Sequence, residues 1–241
     1  MVWLVLTPAF AFLAAYIIYA PVTDIWSRYL DGRMVRSGRP SSHRIALTFD
    51  DGPDPEYTPR VLGILAAASV PAAFFLVGEK AERNHDIVRQ IDAGNHLIGT
   101  HTYRHRHAYL ITPGQARREV RQAIAVIADI VSPPFWFRPP WGAFNLSIRL
   151  TAAGAGQHIA LWSVNGADWK QDRTADDIVA AVTRRLRPGA IVVLHDSGGA
   201  AGAPEQTVAA LPDIIDWAKE NGYIWERLDD LVGGSLSAVN Q

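Results

Sequence analysis

Two short motifs of the sequence carry side chains that commonly hold a divalent metal ion. Asp50 and Asp51 stand side by side before a Gly-Pro pair that forces a turn. His101 and His105 are four residues apart, a spacing that lets two imidazole rings face the same way on a helical turn. Because the chain has no cysteine, only His, Asp or Glu could complete a metal site. Taken singly, the first motif also fits an Asp-rich turn, and the second also fits a solvated, His-rich loop.

Three further motifs supply groups that could move protons or hold other groups in place. Arg138 begins a proline-rich segment, and its guanidinium could pair with a carboxylate and fix its orientation. His195 follows the most apolar predicted strand, and an imidazole with an ordinary pKa of about 6.5 suits proton transfer. Asp168 could hold that ring and stabilise its charged form. Each motif alone also fits a stiff surface turn or a packed histidine, but together they complete a set for metal-assisted hydrolysis.

The elements that must position these side chains alternate between short apolar runs and helical patterns. Predicted strands cover residues 45–49, 72–77, 97–98, 135–137, 159–164, 190–194 and 223–226. Predicted helices cover residues 58–69, 79–93, 112–131, 146–153, 174–186 and 205–220. Thr112 and Thr174 are expected to open capping boxes. About seven alternating units indicate an α/β barrel of parallel strands, or a barrel that lacks a unit. The motifs fall at the ends of strands, where barrels build their active sites.

In their order along the chain, the motifs resemble those of the polysaccharide deacetylases of carbohydrate esterase family 4, also called the NodB-homology family. Residues 48–53 match the pattern TFDDGP, and residues 101–105 match H-[ST]-x-x-H. Residues 138–142 resemble R-x-P-[YF]-G, residues 165–169 resemble D-x-x-D-W, and residues 193–195 resemble L-x-H. The resemblance extends over nearly everything that follows the N-terminal segment.

The resemblance implies a distorted (β/α) barrel and a divalent metal ion. The metal would be zinc, with cobalt, manganese or nickel as the other candidates. Its ligands would be Asp51, His101 and His105. Asp50 would be the general base that takes a proton from the attacking water, and Arg138 would hold it.

The resemblance also assigns the acid and the substrate pocket. His195 would be the general acid that protonates the leaving amine, and Asp168 would orient it. Trp169 and Val193 would form the acetyl pocket. A main-chain N–H near Trp141 would stabilise the oxyanion of the transition state.

The chain departs from the family pattern at three positions. Trp141 takes the place of a Tyr, Asn165 of an Asp and Val193 of a Leu. These changes alter the groove and the acetyl pocket but remove no metal ligand, base or acid. The indoles of Trp136 and Trp141 could stack on sugar rings, and core packing is the alternative for both.

We therefore expect an enzyme, a metal-dependent polysaccharide deacetylase that hydrolyses N-acetyl groups on the amino sugars of peptidoglycan or a chitin-type oligosaccharide. Two alternatives stay open: an enzyme that deacylates a lipid-linked amino sugar at the membrane face, and an inactive glycan-binding module. The expected partners are the N-acetylated glycan and, through the N-terminal segment, a membrane. The formal net charge of -1 gives no electrostatic argument for nucleic-acid binding, and no protein partner is implied.

The first 22 residues carry no charged side chain, and about 20 apolar residues can span a bilayer. We expect a transmembrane or signal-anchor segment at residues 1–22, a linker at 23–43, the deacetylase domain at 44–232 and a frayed tail at 233–241. A buried core helix and a cleaved signal peptide are the alternatives. A signal peptide usually begins with basic residues, and this segment has none.

Two arguments disagree about the side of the membrane on which the domain lies. Arg28, Arg33, Arg36 and Arg39 follow the apolar run, and no basic residue precedes it. The positive-inside rule would place the domain in the cytoplasm, whereas a wall glycan would be met only outside. We expect a single-pass membrane protein with an extracytoplasmic catalytic domain, although the distribution of the arginines argues for the cytoplasmic side.

Overall fold

Eight short parallel strands form the sheet at the centre of the described residues. The computed structural model of the chain describes residues 2–39 and 43–236, and the side chains of residues 9–39 and 43–233. The strands are β1 (Arg44–Asp50), β2 (Ala72–Leu76), β3 (Leu97–Thr100), β4 (Trp136–Phe137), β5 (His158–Ile159), β6 (Val164–Asn165), β7 (Ile191–His195) and β8 (Ile224–Trp225). Residues 40–42 of the predicted linker and 237–241 of the predicted tail lie outside the described residues.

The order of the strands makes an open, curled barrel. Seven strands run in the order β5-β4-β3-β2-β1-β7-β6, and β8 pairs with the first residues of β1. The strands β5 and β6 form the two edges of this path, so the barrel does not close by strand pairing. The predicted fold, an α/β distorted barrel of parallel strands behind an apolar N-terminal helix, is confirmed.

Strand β1 shows how the sequence builds both faces of the sheet. Every residue after Arg44 is buried, as expected for a parallel strand that is covered on both sides. Phe49 packs in the outer cluster against the helices, whereas Ala46 belongs to the cluster inside the barrel. Because side chains alternate along a strand, Thr48 and Asp50 share the inner face with Ala46. The end of β1 therefore delivers a carboxylate to the interior of the barrel.

Ten α-helices belong to the described residues. They are α1 (Val2–Ile17), α2 (Thr23–Ile25), α3 (Tyr57–Ala68), α4 (Gly78–Arg83), α5 (His85–Ala93), α6 (Pro113–Ile130), α7 (Leu146–Gly154), α8 (Ala175–Thr183), α9 (Ala203–Glu220) and α10 (Leu228–Leu236). The capping boxes predicted at Thr112 and Thr174 are confirmed. The helix predicted at 79–93 is two helices, because Asn84 bonds back to the carbonyl of Lys80 and takes a non-helical conformation.

The N-terminal helix runs through residues 2–30 without a gap. Two π-helical turns, Ile18–Val22 and Trp26–Leu30, flank the short helix α2. The first of these turns contains Pro21, and a proline removes one helical hydrogen bond. Within the described residues, Ala9–Leu30 is the one helix that is long and apolar enough to cross a membrane, and a signal sequence has the same properties.

Two acidic side chains hold the N-terminal segment on the domain. Asp24 accepts hydrogen bonds from the Phe144 main-chain N–H at 2.8 Å and from the Tyr109 hydroxyl at 3.0 Å. Asp31 pairs with Arg149 of α7, whose Nε lies 3.1 Å from the carboxylate, and both side chains are buried. Residues 23–39, whose composition predicts a linker, are thus bonded to the domain.

The same segment fills the gap at the open side of the barrel. Val35 forms a parallel bridge with Ala160, and Ser37 forms an antiparallel bridge with Ala190. The strand predicted at residues 159–164 is interrupted between Ile159 and Val164. The two short strands β5 and β6 stand in its place.

Asp31→Asn is expected to lower the free energy of unfolding by about 3 kcal/mol at neutral pH, because Arg149 would stay buried without its partner. Burial alone would raise the pKa of Asp31, but hydrogen bonds from Arg149 and Arg33 outweigh it and hold the pKa below 3.8. This stabilisation is therefore present above about pH 3.8 and is lost as the pH falls through the lower pKa of the folded state. Thermal unfolding in detergent across this pH range measures it.

The matched control is Asp86→Asn. The Asp86 side chain is 91% exposed in its pair with Arg89, and surface substitutions of this kind change stability by less than about 0.5 kcal/mol. Equal effects of the two substitutions, or an Asp31→Asn effect that does not shrink in acid, would contradict the prediction.

Candidate active site and metal centre

Three side chains converge at the carboxyl ends of β1 and β3. One potential ligand atom from each of Asp51, His101 and His105 lies within 4.8 Å of the other two. Asp51 Oδ1 is 2.9 Å from His105 Nε2 and 3.4 Å from His101 Nε2. The structure therefore brings together the three residues that the sequence suggests as metal ligands.

The hydrogen bonds around His101 explain why a cation fits this cluster. Its Nδ1 lies 2.7 Å from the carbonyl oxygen of Arg138, which can only accept, so Nδ1 carries the proton. In the neutral ring, Nε2 then presents a lone pair toward Asp51 Oδ1, a buried atom that forms no hydrogen bond of good geometry with the described residues. A cation between two facing acceptors stabilises both, and a carboxylate with two imidazoles is a typical ligand set for a catalytic zinc ion.

The two histidines lie on a loop, so the expected helical turn is wrong. Residues 101–107 form no helix, yet the rings of His101 and His105 are 5.0 Å apart. Thr102 and His105 have φ angles of 61° and 53°, in the left-handed region. These two residues turn the loop back on itself and bring the rings together without a helix.

The carboxylate next to the cluster is held by a buried arginine. Arg138 is 0% exposed and donates to Asp50 Oδ1 at 2.6 Å and to Thr48 Oγ1 at 2.7 Å. Its remaining bonds go to the carbonyl oxygens of Ala160 and Leu161, at 3.0 and 3.1 Å. Asp50 also lines the pocket. This arrangement fixes one carboxylate oxygen on the guanidinium and suits a general base held in place.

A second carboxylate holds an imidazole at the end of β7, the strand next to β1. His195 Nδ1 lies 2.9 Å from Asp168 Oδ1, and Asp168 Oδ2 accepts from the His195 main-chain N–H and from the Thr207 hydroxyl. Burial favours the neutral ring, but the charge and hydrogen bond of Asp168, with smaller effects of the Asp50 and Asp51 charges, outweigh it and raise the pKa of His195 to about 9. The ring is therefore charged at neutral pH and can act as a general acid.

These groups surround one pocket of about 510 Å³. Its lining is formed by Asp50, Asp51, Val77, Lys80, His101, His105, Trp141, Trp162, Asn165, Trp169, Val193, His195, Gly198 and Gly199. Trp141 is 53% exposed, and its ring lies 4.4 Å from that of His105. Trp136 is only 5% exposed, so its predicted stacking on a sugar is wrong, because β4 carries it into the core.

Three residues around the site have no counterpart in the sequence motifs. Lys80 donates at 2.7 Å to the carbonyl oxygen of Asp51 and at 2.7 Å to the Ser197 hydroxyl. Thr207 supports Asp168 from α9, and Trp162 lines the pocket. Lys80 closely follows the end of β2, and this position at a strand end is the one signal that could have suggested it.

Comparison with known proteins gives one family and several relatives. A family model described as polysaccharide deacetylase matches residues 37–160. A peptidoglycan-N-acetylglucosamine deacetylase of Bacillus cereus is 36% identical over 194 residues, which cover 78% of this chain and 87% of the relative. A chitooligosaccharide deacetylase of Sinorhizobium fredii is 35% identical over 201 residues, which cover 80% of this chain and 92% of the relative.

A solved structure has the same fold. The crystal structure of the Bc1960 peptidoglycan N-acetylglucosamine deacetylase, in complex with a substituted N-hydroxybenzamide, superposes with a TM-score of 0.79 at 31% identity. The match covers 87% of this chain and 96% of that one. These matches confirm the resemblance that the motifs indicate.

Asp168→Asn is expected to lower the pKa of His195 from about 9. The physical reason is that burial of the ring would then be opposed only by the charges of Asp50 and Asp51, without the hydrogen-bonded carboxylate of Asp168. The measurement is an NMR titration of the histidine ring in the detergent-solubilised chain, with the resonance assigned through His195→Gln. Asp176→Asn, at an exposed position of α8, is the matched control and should leave the titration unchanged. A pKa that stays near 9 in Asp168→Asn would contradict the role of this pair.

Proposed function

The chain belongs to the polysaccharide deacetylase family, and on this premise we propose that it hydrolyses N-acetyl groups on the amino sugars of a glycan. The glycan would be peptidoglycan or a chitin-type oligosaccharide. The observation that supports this proposal is the convergence on one pocket of three candidate metal ligands, a carboxylate bound to a buried arginine, and a charged imidazole bound to a buried carboxylate.

The metal would be held by Asp51, His101 and His105. A divalent ion bound there would polarise the acetyl carbonyl and lower the pKa of a water molecule from 15.7 to about 7. We propose zinc, because a catalytic zinc site combines three protein ligands of these types with one open position. Cobalt, manganese and nickel are the alternatives, since imidazole and carboxylate also suit these ions.

Asp50 would be the general base. Arg138 and the end of β1 hold its carboxylate next to the metal ligands, so it could take the proton of the water that attacks the acetamide carbon. The N–H groups of Gly142 and Ala143 are used within their own turn. This leaves the N–H of Trp141 as the donor that we assign to the oxyanion.

His195 would be the general acid. An amine anion is a very poor leaving group, so the nitrogen must receive a proton as its bond to the acetyl carbon breaks. Charged His195, at the end of β7, would supply that proton, and Asp168 would keep the ring oriented. Trp169 and Val193 line the pocket beside it and would form the apolar wall around the acetyl methyl group.

The substrate class is supported by an exposed aromatic surface and by the relatives. The half-exposed indole of Trp141, next to His105, could stack on a sugar ring at the mouth of the pocket. The relatives are a peptidoglycan and a chitooligosaccharide deacetylase, and neither supports the alternative of a lipid-linked amino sugar. The complete set of ligands, base and acid argues against an inactive module.

We further propose that residues 1–22 are retained as a single membrane span and that the catalytic domain, residues 44–232, lies outside the cytoplasm. The arginines that argue for the opposite orientation have structural uses. Arg28 and Arg33 pair with acidic residues of their own segment, and Arg36 donates to a main-chain carbonyl at 2.9 Å. Their presence after the span therefore has a cause in the fold, independent of any role in orientation.

Asp50→Asn is expected to lower acetate release by about 10²–10⁴-fold, because the amide cannot accept the proton of the attacking water. Metal content should stay unchanged, since Asp50 is not one of the three candidate ligands. The measurement is acetate release from a panel of N-acetylated glycans, together with the metal content of the purified chain. Asp176→Asn is the control. Wild-type activity in Asp50→Asn would contradict the assignment of the base.

His101→Ala is expected to remove both the metal and the activity, because two of the three candidate ligands do not complete the site. A chelator should have the same effect on the wild type, and added zinc should restore activity in the wild type alone. His43→Ala, at an exposed position, is the control. Full metal content in His101→Ala, or activity that survives chelation, would overturn the proposed metal dependence.

A further inference from the structure

The N-terminal helix is apolar on its outer side even where its inner side rests on the domain. Ser27 is fully buried, whereas Ile25 and Trp26 are 57% and 42% exposed. Tyr29 and Leu30, at the end of the helix, are 76% and 72% exposed. A helix that docks on a domain in water usually presents polar residues outward. An apolar outer side that carries Trp and Tyr is typical of a segment at the membrane–water interface.

The apolar surface continues from this helix onto the domain. Leu110, Leu146 and Leu150 are 82%, 42% and 60% exposed, and we call these three residues the leucine patch. Leu146 and Leu150 are four residues apart on α7 and share one face of it. A groove between α7 and the N-terminal helix is lined by both of these leucines and by Ile18 and Val22. Leu110 follows Tyr109, whose carbonyl oxygen accepts a hydrogen bond at 3.5 Å from the hydroxyl of Tyr16 in the N-terminal helix. The patch therefore borders the candidate membrane span.

A row of exposed arginines begins near the same helix. Arg117, Arg118 and Arg121 are exposed on α6, and we call them the arginine row. None of the three forms an ion pair with a described side chain. Arg117 lies near the hydroxyl of Tyr19 in the N-terminal helix. Exposed arginines next to a membrane segment attract the head groups of anionic lipids.

From these observations we infer that the leucine patch and the arginine row form a surface that rests on the lipid bilayer. The leucines lie where the hydrocarbon ends, and the arginines lie among anionic head groups. This inference relies on the proposed retained span and goes beyond it, because the span by itself does not require any surface of the domain to touch lipid. A lipid surface, rather than a second copy of the chain, is indicated by the continuity of the patch with the span and by the added positive charge.

This placement brings the pocket close to the membrane. Arg28 of the N-terminal helix donates from Nη2 to the carbonyl oxygen of Trp141 at 3.1 Å, and Trp141 lines the pocket. The mouth of the pocket would then open beside the membrane surface, and the glycan it meets would be membrane-proximal.

The test uses the absence of cysteine, which permits single labels in the full chain. Leu110→Cys and Leu150→Cys, each with an environment-sensitive fluorophore, are reconstituted in vesicles of phosphatidylcholine and phosphatidylglycerol. Ile25→Cys is the positive reference on the outer side of the helix. Ile224→Cys is the matched negative control, since Ile224 is 57% exposed and lies at the opposite end of the sheet from the pocket. Nitroxide-labelled lipids then quench each probe according to its depth.

The inference predicts that the Leu110 and Leu150 probes lose fluorescence as strongly as the Ile25 probe, while the Ile224 probe keeps its signal. Quenching of the Ile25 probe alone would overturn the inference and leave the span intact. Blue-shifted but unquenched probes at the leucines would indicate a protein contact and would also overturn it. Release of the chain by alkaline extraction would overturn the span as well. None of these outcomes bears on acetate release, so the proposed hydrolase is tested separately.

A second measurement isolates the arginine row. The combined variant Arg117→Gln, Arg118→Gln and Arg121→Gln should reduce quenching of the Leu110 probe, and so should vesicles of phosphatidylcholine alone. The matched control replaces three other exposed arginines by glutamine, namely Arg184, Arg185 and Arg187, which lie close together between α8 and β7. Equal loss of quenching in both triple variants would overturn the role of the arginine row.

Discussion

A single buried guanidinium is the constraint on which the geometry of the pocket depends. Arg138 bonds to Asp50 and Thr48 on β1, and it lies 4.0 Å over the ring of Phe75 on β2. Its own carbonyl oxygen accepts from His101. A charge removed from water costs several kcal/mol unless its donors are bonded, so the surrounding strands cannot shift without loss of stability. One residue thus sets the position of the candidate base relative to a candidate metal ligand.

Backbone strain is concentrated around the same pocket. Asp51, Thr102, His105 and Trp141 have φ angles of 73°, 61°, 53° and 55°, and each such residue costs about 1–3 kcal/mol. Contacts from elsewhere in the fold keep them there, as when Lys80 bonds to the carbonyl oxygen of Asp51. The strained positions bring side chains together that relaxed turns would separate. The geometry of the site is therefore a property of the whole fold rather than of its local sequence.

The sequence correctly predicts those features of the structure that depend on local residue patterns. Apolar runs and capping residues place the strands and helices, and side chains that directly follow strands, such as Asp50 and His195, are found at the pocket. Contacts between residues far apart in the chain control the rest. Left-handed residues replace the expected helical turn at residues 101–105. Val35 of the predicted linker pairs with Ala160, and Lys80 reaches the site without any motif.

The bridges of Val35 and Ser37 at the open side of the barrel bear on where the catalytic domain can be cut from the N-terminal helix. A fragment that begins at residue 44, where the strand–helix pattern begins, would lack Val35 and Asp31. The edge of β5 would then be unpaired, and Arg149 would have lost its partner Asp31. Bare edges invite strand addition from other molecules, so such a fragment would be prone to aggregate. A catalytic fragment that keeps these contacts begins at or before Asp31, and a protease that sheds the domain with them cuts upstream of that residue.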